Sequence, residues 1–187
     1  MTGIVNSTGA RSGVIGTIVG TAESVVKQVL STTKTTEFST SSVSNTWTAV
    51  TDLSVVITPA STSNKILVTY HINLGMEHGG HTGVATGLYR GGSALSGAVG
   101  TSLLTSQTAV TTGVLHFNDD SNEAYNGVVS MTHLDSPSST SALTYQVYVY
   151  NGSGAGFIAY VNRGPSNSEV PYVSKAISSI TAMEIVV

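Results

Sequence analysis

The chain has no cysteine and very few charged side chains, with only 7 Lys or Arg and 10 Asp or Glu among 187 residues. The missing cysteine excludes disulfides, thiolate zinc sites and a cysteine nucleophile. A formal net charge of −3 offers no basic surface for a phosphate backbone, so we expect no nucleic-acid partner. No apolar run approaches the ~20 residues of a membrane-spanning helix, and residues 1–20 lack the pattern of a secretion signal. We therefore expect no membrane association.

Serine and threonine are abundant where charge is scarce. Together they make up 53 of the 187 residues, whereas charged residues contribute 9%, against roughly 25% in an ordinary soluble domain. Their side chains compete with a helical backbone for hydrogen bonds, and threonine is stiff at χ1, so both favour strands and turns. A surface with so few charges must be covered by hydroxyl groups, by partner subunits, or by both. The composition therefore predicts an all-β subunit of an assembly.

Residues 1–24 differ from the rest of the chain, because glycines at positions 3, 9, 13, 16 and 20 separate short apolar pairs. Glycine at this density prevents a compact core but allows an extended arm that lies on another protein. A frayed terminus is the alternative. We predict an N-terminal attachment arm over residues 1–24. Its predicted contact residues are Ile4, Val5, Val14, Ile15, Ile18 and Val19.

Alternating apolar and polar residues predict strands over much of the remaining chain. Between residues 65 and 74 the even-numbered side chains are predicted to point inward, and residues 141–150 and 179–187 also alternate between two faces. For residues 24–30, three valines in five residues favour a strand over a helix. Weaker candidates are residues 35–40, 46–57, 84–90, 111–118, 126–134 and 157–163. About ten short strands and no long helix predict one β-sandwich of jelly-roll type over residues 25–187.

Several stretches resemble a β-domain that is common in tailed-phage fibre and virion-surface proteins. They are residues 25–40, 53–59, 63–68 and 179–185, which are scattered landmarks within the predicted domain. The glycine-rich leader at residues 9–17 also resembles leaders of small marine-phage proteins. This resemblance implies a C1q/TNF-like jelly roll that assembles as a homotrimer on the surface of a virion. None of these motifs is a catalytic signature.

No collagen-like, coiled-coil or β-helical repeat precedes the predicted domain, so an extended arm alone would hold it close to the particle. We therefore expect a non-enzymatic structural protein, either a trimeric capsid decoration or cement protein or a short head fibre. Its partners would be other capsid or tail proteins. The alternative is a tail-fibre receptor-binding protein whose distal loops bind a host-surface glycan. A polysaccharide hydrolase ranks last, because it needs paired carboxylates and most acidic residues here are isolated in sequence.

Two clusters contain residue types that ligate metals. They are Glu77, His78 and His81, and Asp119, Asp120 and Glu123. The first cluster lies in a glycine-rich loop without a second pair of ligands nearby, and the second lacks the spacing of a calcium loop. Solvated loops are therefore favoured over metal sites, although metal binding stays open at both clusters. We expect no cofactor.

Seven aromatic residues are candidates for sugar or partner contacts: Trp47, Tyr89, Tyr125, Tyr148, Tyr150, Tyr160 and Tyr172. Packing in the core or in an interface is favoured over ligand stacking for all seven. Tyr148 and Tyr150 share the face opposite the predicted core, so we predict that they pack across the trimer interface, together with Glu184 of the last strand. The histidines in strand-like stretches are predicted to be hydrogen-bonded surface or interface residues: His71, His116 and His133.

Overall fold

The computed structural model describes residues 25–40, 46–76, 82–95, 113–117, 125–151, 158–164 and 175–187. Within these residues the fold is all-β and contains eleven strands and no helix, which confirms the all-β part of the predicted fold class. The strands are β1 (Val26–Lys34), β2 (Phe38–Thr40), β3 (Trp47–Ile57), β4 (Lys65–Met76), β5 (Thr82–Arg90), β6 (Ser93–Ala94), β7 (Gly113–Phe117), β8 (Tyr125–Asp135), β9 (Leu143–Asn151), β10 (Ala159–Val161) and β11 (Ser178–Ile185). Only the two-residue β6 was not predicted from the alternation of the sequence.

Strand β4 organises the first of two antiparallel sheets, which we call the β4 sheet. β8 pairs with β4 over nearly the whole length of both strands. On the other side of β4, β11 pairs with residues 65–71 and β10 pairs with residues 74–76. β1 then flanks β11, and β2 flanks β10. On this side of β4, the adjacent position in the sheet is therefore filled by β11 and β10 end to end, and the next position by β1 and β2.

Strand β5 organises the second antiparallel sheet, which we call the β5 sheet. β9 lies between β3 and β5. On the other side of β5, β7 pairs with residues 82–86 and β6 pairs with residues 89–90. β3 has a register irregularity between Ala49 and Ser54, and Asp52 within it has a positive φ of 61°.

The hydrophobic core lies where the alternation of the sequence predicts it. The core residues of β4 and β9 are Ile66, Val68, Tyr70, Ile72, Leu74, Tyr145, Val147 and Val149. Residues of β3, β5, β8, β10 and β11 join them in a single cluster, and Leu143 packs against it. Because both sheets contribute to one core, the arrangement is consistent with a β-sandwich.

Strand β11 turns its less apolar face inward. The buried residues of this strand are Ser178, Ile180, Ala182 and Glu184. The register with β4 explains the choice of face, because Ala182 lies opposite Val68, which points into the core. Glu184 follows on the same inward face and has no exposed surface. The prediction that Glu184 lies in a trimer interface is therefore corrected, since its side chain is enclosed within its own chain.

Asn162 stabilises the junction at which β10 ends and β11 begins. Its Nδ2 donates to the carbonyl oxygens of Lys34 (2.8 Å) and Thr36 (3.0 Å), where β1 gives way to β2. Its Oδ1 accepts a hydrogen bond from Ser178 Oγ at 2.6 Å, and its backbone N–H donates to Asn73 O of β4 at 3.0 Å. Asn162 has a positive φ of 62°, a conformation that asparagine tolerates better than most residues. One residue therefore joins β1, β4 and β11 at this junction, through its side chain and its backbone N–H.

Candidate interaction surfaces

The outward side chains of the β4 sheet form a surface that we call the β4 face. Its twelve residues lie in three rows, because residues opposite one another in neighbouring strands share a face. The apolar row contains Val29, Met183, Leu67 and Leu134. The threonine row contains Ser31, Thr181, Thr69 and Thr132. The histidine row contains Thr33, Ser179, His71 and Ser130.

The β4 face is open to solvent and its hydroxyl groups are ordered. Val29 is 54% exposed and Leu134 is 49% exposed, which is high for aliphatic side chains in strands. Ser31 Oγ and Thr181 Oγ1 lie 2.9 Å apart, and Ser179 Oγ lies 3.1 Å from His71 Nδ1. A shallow depression of about 310 Å³ spans the threonine and histidine rows. Its lining residues are Thr69, Tyr70, His71, Ser130, Met131, Thr132 and Ser179.

Formally charged side chains lie beside the β4 face and not within it. None of its twelve residues is an acid, a lysine or an arginine, and His71 is its one histidine. A charged residue, Lys65, lies just outside the apolar row, two residues before Leu67 on β4 and opposite Ile185. Away from the three rows, Glu37 pairs with Lys175 (2.8 Å) and Arg163 (3.5 Å). The face itself is therefore aliphatic and hydroxylic.

The outward side of the β5 sheet carries a different group, which we call the aromatic cluster: Trp47, Tyr89, Tyr148 and Tyr150. The rings of Tyr89 and Tyr148 are stacked, with centroids 3.8 Å apart and planes 19° apart. The Trp47 ring is tilted against both Tyr150 (5.2 Å) and Tyr89 (5.9 Å). The register brings them together, since Trp47 lies opposite Tyr150, and Tyr148 lies opposite Gly87, two residues before Tyr89.

Gly87 provides the floor on which the Trp47 ring rests. A Cβ at this position would lie 2.8 Å from Trp47 Cζ3 and 3.2 Å from Tyr89 Cε2, so any side chain would displace the rings. Burial raises the pKa of Tyr89, and the nearby Tyr148 hydroxyl raises it further. Burial also raises the pKa of Tyr150. These two phenols therefore stay neutral near pH 7 and can both donate and accept hydrogen bonds.

The two tyrosines predicted in the trimer interface have different surroundings. Tyr150 is only 3% exposed within one chain, so its side chain has almost no surface left for a partner, and the prediction is corrected for this residue. It is enclosed because Trp47 packs over it. Tyr148 is half-buried and lies on the β5 sheet. Its role in an interface stays a prediction.

Glu184 is held by neutral donors inside the chain. Its Oε1 accepts hydrogen bonds from the backbone N–H of Ala60 and from Asn64 Nδ2, and its Oε2 accepts one from Gln28 Nε2, all at 2.6 Å. Burial acts to raise the pKa of Glu184, but these hydrogen bonds, helped by the charge of Lys27, outweigh it and leave the pKa below its ordinary value. The carboxylate therefore ties β11 to β1 and to the segment between β3 and β4.

Asp135 forms a second buried carboxylate site, which links the two sheets. Its Oδ2 pairs with Arg90 Nη1 of β5 and accepts a hydrogen bond from Tyr145 OH of β9 at 2.6 Å. Burial, together with the neighbouring Asp135 carboxylate, raises the pKa of Tyr145 strongly. Asp135 lies on β8, so this group connects the β4 sheet with the β5 sheet.

Other predicted site residues lie outside the described residues. These are the arm residues Ile4, Val5, Val14, Ile15, Ile18 and Val19, and the metal candidates Glu77, His78, His81, Asp119, Asp120 and Glu123. Within the part of the chain that the structure describes, no three His, Cys, Asp or Glu side chains lie together so that they could hold a metal ion. The attachment arm therefore stays a prediction, and metal binding at the two clusters stays open.

Comparisons with known proteins give no family for the chain. No family model matches the sequence, and no curated protein is significantly similar to it. Among the residues that the structure describes, no helix is long and apolar enough to span a bilayer.

The β4 face was not predicted from the sequence, although its residues carry a local signal. In β8 the apolar and hydroxylic side chains of Val128, Ser130, Thr132 and Leu134 alternate with inward residues. What the sequence lacks is the register that aligns positions 29, 67, 134 and 183 into one row. The surface becomes visible only when four strands that are distant in sequence are paired.

Proposed function

We propose that the chain is a non-enzymatic structural protein of a tailed-phage virion, which forms a homotrimer through the β4 face. In this proposal it is a capsid decoration or cement protein, or a short head fibre. The β4 face is the single observation that carries the assembly. It exposes an apolar row beside two rows of hydroxyl groups and contains no acid, lysine or arginine.

The β4 face suits a position at a threefold axis, where the same face of three copies converges. Like charges repel when identical surfaces meet, and this surface has no acid, lysine or arginine to repel its copy. A hydroxyl group can both donate and accept a hydrogen bond, so rows of serine and threonine are self-complementary. Burial of the apolar row, in which Val29 and Leu134 are about half exposed, would supply hydrophobic free energy.

The strand order supports a jelly roll. If β1 with β2, β6 with β7, and β10 with β11 are each counted as one strand, the chain has eight strands in sequence. One sheet then has the order first, eighth, third, sixth, and the other has the order second, seventh, fourth, fifth. An antiparallel double sheet of eight strands in which the first and last lie side by side is the arrangement of a jelly roll. Three copies are proposed because residues 25–187 resemble a C1q/TNF-like domain.

The location on a virion rests on sequence resemblance and on the predicted arm. Residues 1–24 would lie against a capsid or tail protein, and three arms per trimer would raise the strength of attachment through multivalency. The domain itself would remain displayed on the particle. The proposed mechanism is therefore mechanical and needs no cofactor.

Sedimentation equilibrium tests the trimer. We expect wild-type protein at micromolar concentration to have about three times the chain mass of 19.2 kDa. Leu134→Asp places one carboxylate per copy in the uncharged contact, so we expect association to weaken on the order of a hundredfold. Val56→Asp is the matched control, because Val56 is 52% exposed on β3 and Leu134 is 49% exposed on β8. A monomeric wild-type protein, or equal behaviour of the two variants, would contradict the proposed interface.

A deletion of residues 1–20 tests the arm with the same preparations. The shortened protein is expected to remain a folded trimer and to lose binding to phage particles from which the full-length protein was stripped. The control is the full-length protein added back to the same particles. Normal decoration by the shortened protein would refute the attachment role of the arm.

A further inference from the structure

The aromatic cluster lies on the β5 sheet, whereas the proposed trimer uses the β4 face. Its rings come from β3, β5 and β9 of one chain, so the cluster is complete without a partner subunit. Trp47, Tyr89 and Tyr148 are half-buried, so each residue keeps part of its surface open to solvent. The cluster is an aromatic surface that the assembly does not explain.

The rings of the cluster are held in place before any ligand arrives. Tyr148 stacks on Tyr89 at 3.8 Å, and Trp47 is supported by Tyr150 on one side and by the bare backbone of Gly87 below. Stacking of a ligand on such rings costs little side-chain conformational entropy, because the side chains are already ordered. The surface is therefore preorganised for a flat or extended ligand.

The charge around the cluster selects for a neutral ligand. β3, β5 and β9 contain only two charged residues, Asp52 and Arg90. Arg90 is engaged by Asp135, and Asp52 lies in the register irregularity of β3. A polyanion such as a nucleic acid or an acidic peptide would thus find no free cation on these three strands. Charge complementarity favours an uncharged partner.

Hydrogen-bonding groups accompany the rings. The phenols of Tyr89 and Tyr148 are amphipathic, with an apolar ring and a hydroxyl that donates and accepts. Gln146 lies opposite Tyr89 in the register, and its amide is oriented by a hydrogen bond from Nε2 to Val50 O at 3.2 Å. Ser54 lies opposite Gln146 on β3. Aromatic surface and neutral polar groups therefore occur side by side.

A pyranose ring has the matching chemistry, because one side presents C–H groups and its rim presents hydroxyl groups. We propose that the aromatic cluster is a binding site for a neutral saccharide, which stacks on Trp47, Tyr89 and Tyr148. Gln146 and the tyrosine hydroxyls orient its hydroxyl groups. This site goes beyond the proposed structural role and does not depend on trimer formation.

Trp47 makes the test direct, because it is the only tryptophan in the chain. Full-length protein is titrated with soluble neutral oligosaccharides (maltohexaose, cellohexaose, laminarihexaose and chitohexaose) while tryptophan emission and acrylamide quenching are recorded. We expect at least one of them to shift the emission and reduce quenching with a dissociation constant on the order of 0.1–1 mM. Heparin, a polyanionic saccharide, is the negative control.

Two substitutions test the position of the site. Tyr148→Ala removes one stacking ring and is expected to weaken saccharide binding about three- to tenfold. Tyr148→Phe keeps the ring and is expected to retain most of the affinity, so a folded conservative variant is available even if Tyr148→Ala is unstable. Leu134→Asp on the β4 face is the matched control, and it should bind saccharide as the wild type does even if it no longer forms a trimer.

The result that overturns the site is clear in the same titrations. If none of the four oligosaccharides changes Trp47 fluorescence or binds in calorimetry, the cluster is not a neutral-saccharide site. Equal binding by wild type and a folded Tyr148→Ala variant would also overturn it, since the saccharide would then bind elsewhere. Preferential binding of heparin would contradict the inference from charge. The trimer is tested separately from these titrations, by the mass of the wild-type protein in sedimentation equilibrium.

Discussion

The outer faces of the two sheets are both poor in charge but are built from different side chains. The β4 face consists of aliphatic and hydroxyl-bearing residues that lie in flat rows, with Val29 and Leu134 about half exposed. The β5 sheet carries four aromatic rings that pack on one another, and one of them, Tyr150, is only 3% exposed. One face thus leaves its apolar groups to a partner, whereas the other covers much of its apolar surface itself.

The difference shows that composition alone does not decide what a surface does. Both faces draw on the same charge-poor chain, yet only the β4 face has exposed apolar side chains arranged in a continuous row across four strands. The aromatic cluster depends instead on one glycine, because Gly87 lets Trp47 approach the backbone of β5. The two faces therefore depend on different residues, and substitutions can test them one at a time.

Loss of the Glu184 carboxylate, which ties β11 of the β4 sheet to β1, is expected to lower stability the most. Glu184→Leu leaves the buried Asn64 Nδ2 and the partly buried Ala60 N–H without their acceptor, so the free energy of unfolding should fall by about 3 kcal/mol. Urea denaturation measures this change. Tyr145→Phe, which removes one hydrogen bond to Asp135, is the matched control with an expected loss of about 1 kcal/mol. A loss below that of Tyr145→Phe would show that the carboxylate does not hold β11.

A side chain at Gly87, on which the Trp47 ring packs, should give the next largest loss of stability. Gly87→Val forces Trp47 away from β5, and overpacking of this kind is expected to cost about 2 kcal/mol. Urea denaturation would record the loss, and a red shift of the Trp47 emission would report the displaced ring. Thr132→Val also puts a valine on an outer face, but in the open threonine row, and should change stability by less than about 0.5 kcal/mol. Equal effects of the two substitutions would contradict the distinction between the faces.

Lowering the pH should give the smallest loss of stability, and it should act through Glu184 in the β4 sheet. The pKa of Glu184 is lower in the folded protein than its ordinary value of 4.5, so its contribution to stability is complete above that value. It is lost as the pH falls from about 4.5 through the folded pKa. Glu184→Gln cannot titrate, and we expect its urea midpoint to decrease less steeply with acid than that of the wild type.

Glu37→Gln is the control for the acid experiment. The pKa of Glu37 is also lowered, chiefly by its hydrogen bond from Lys175, but this pair is at the surface and screened by water. Its removal should therefore change the pH dependence less than Glu184→Gln does. If the two variants and the wild type had the same acid profile, Glu184 would not be the group that couples stability to pH.

Local alternation was enough to predict the strands and most of the core. In β4, apolar residues at every second position have one possible inward face, and the even-numbered residues from Ile66 to Leu74 are buried as expected. In β11 the alternation was present but the face was ambiguous, because Thr181 and Met183 are no less suited to a core than Ala182 and Glu184. The register with β4 decided the outcome.

The surroundings of Glu184 could not be predicted because its partners are distant in sequence. Asn64 and Ala60 lie 120 and 124 positions away along the chain, and Gln28 lies 156 positions away. No spacing rule connects such residues before the strands are paired. The same reason hid the aromatic cluster, since Trp47 and Tyr150 become neighbours only through the pairing of β3 with β9.

The junction at Asn162 has a consequence for how the chain can be altered. The backbone leaves the β4 sheet after Val161, opposite Leu74, and re-enters it near Ser179, opposite His71, so exit and entry points are almost adjacent on one strand. Because pairing with β4 fixes both points, chain added between Gly164 and Lys175 need not move either of them. These two ends are thus closely spaced anchors between which a foreign epitope or a fluorescent tag can be grafted.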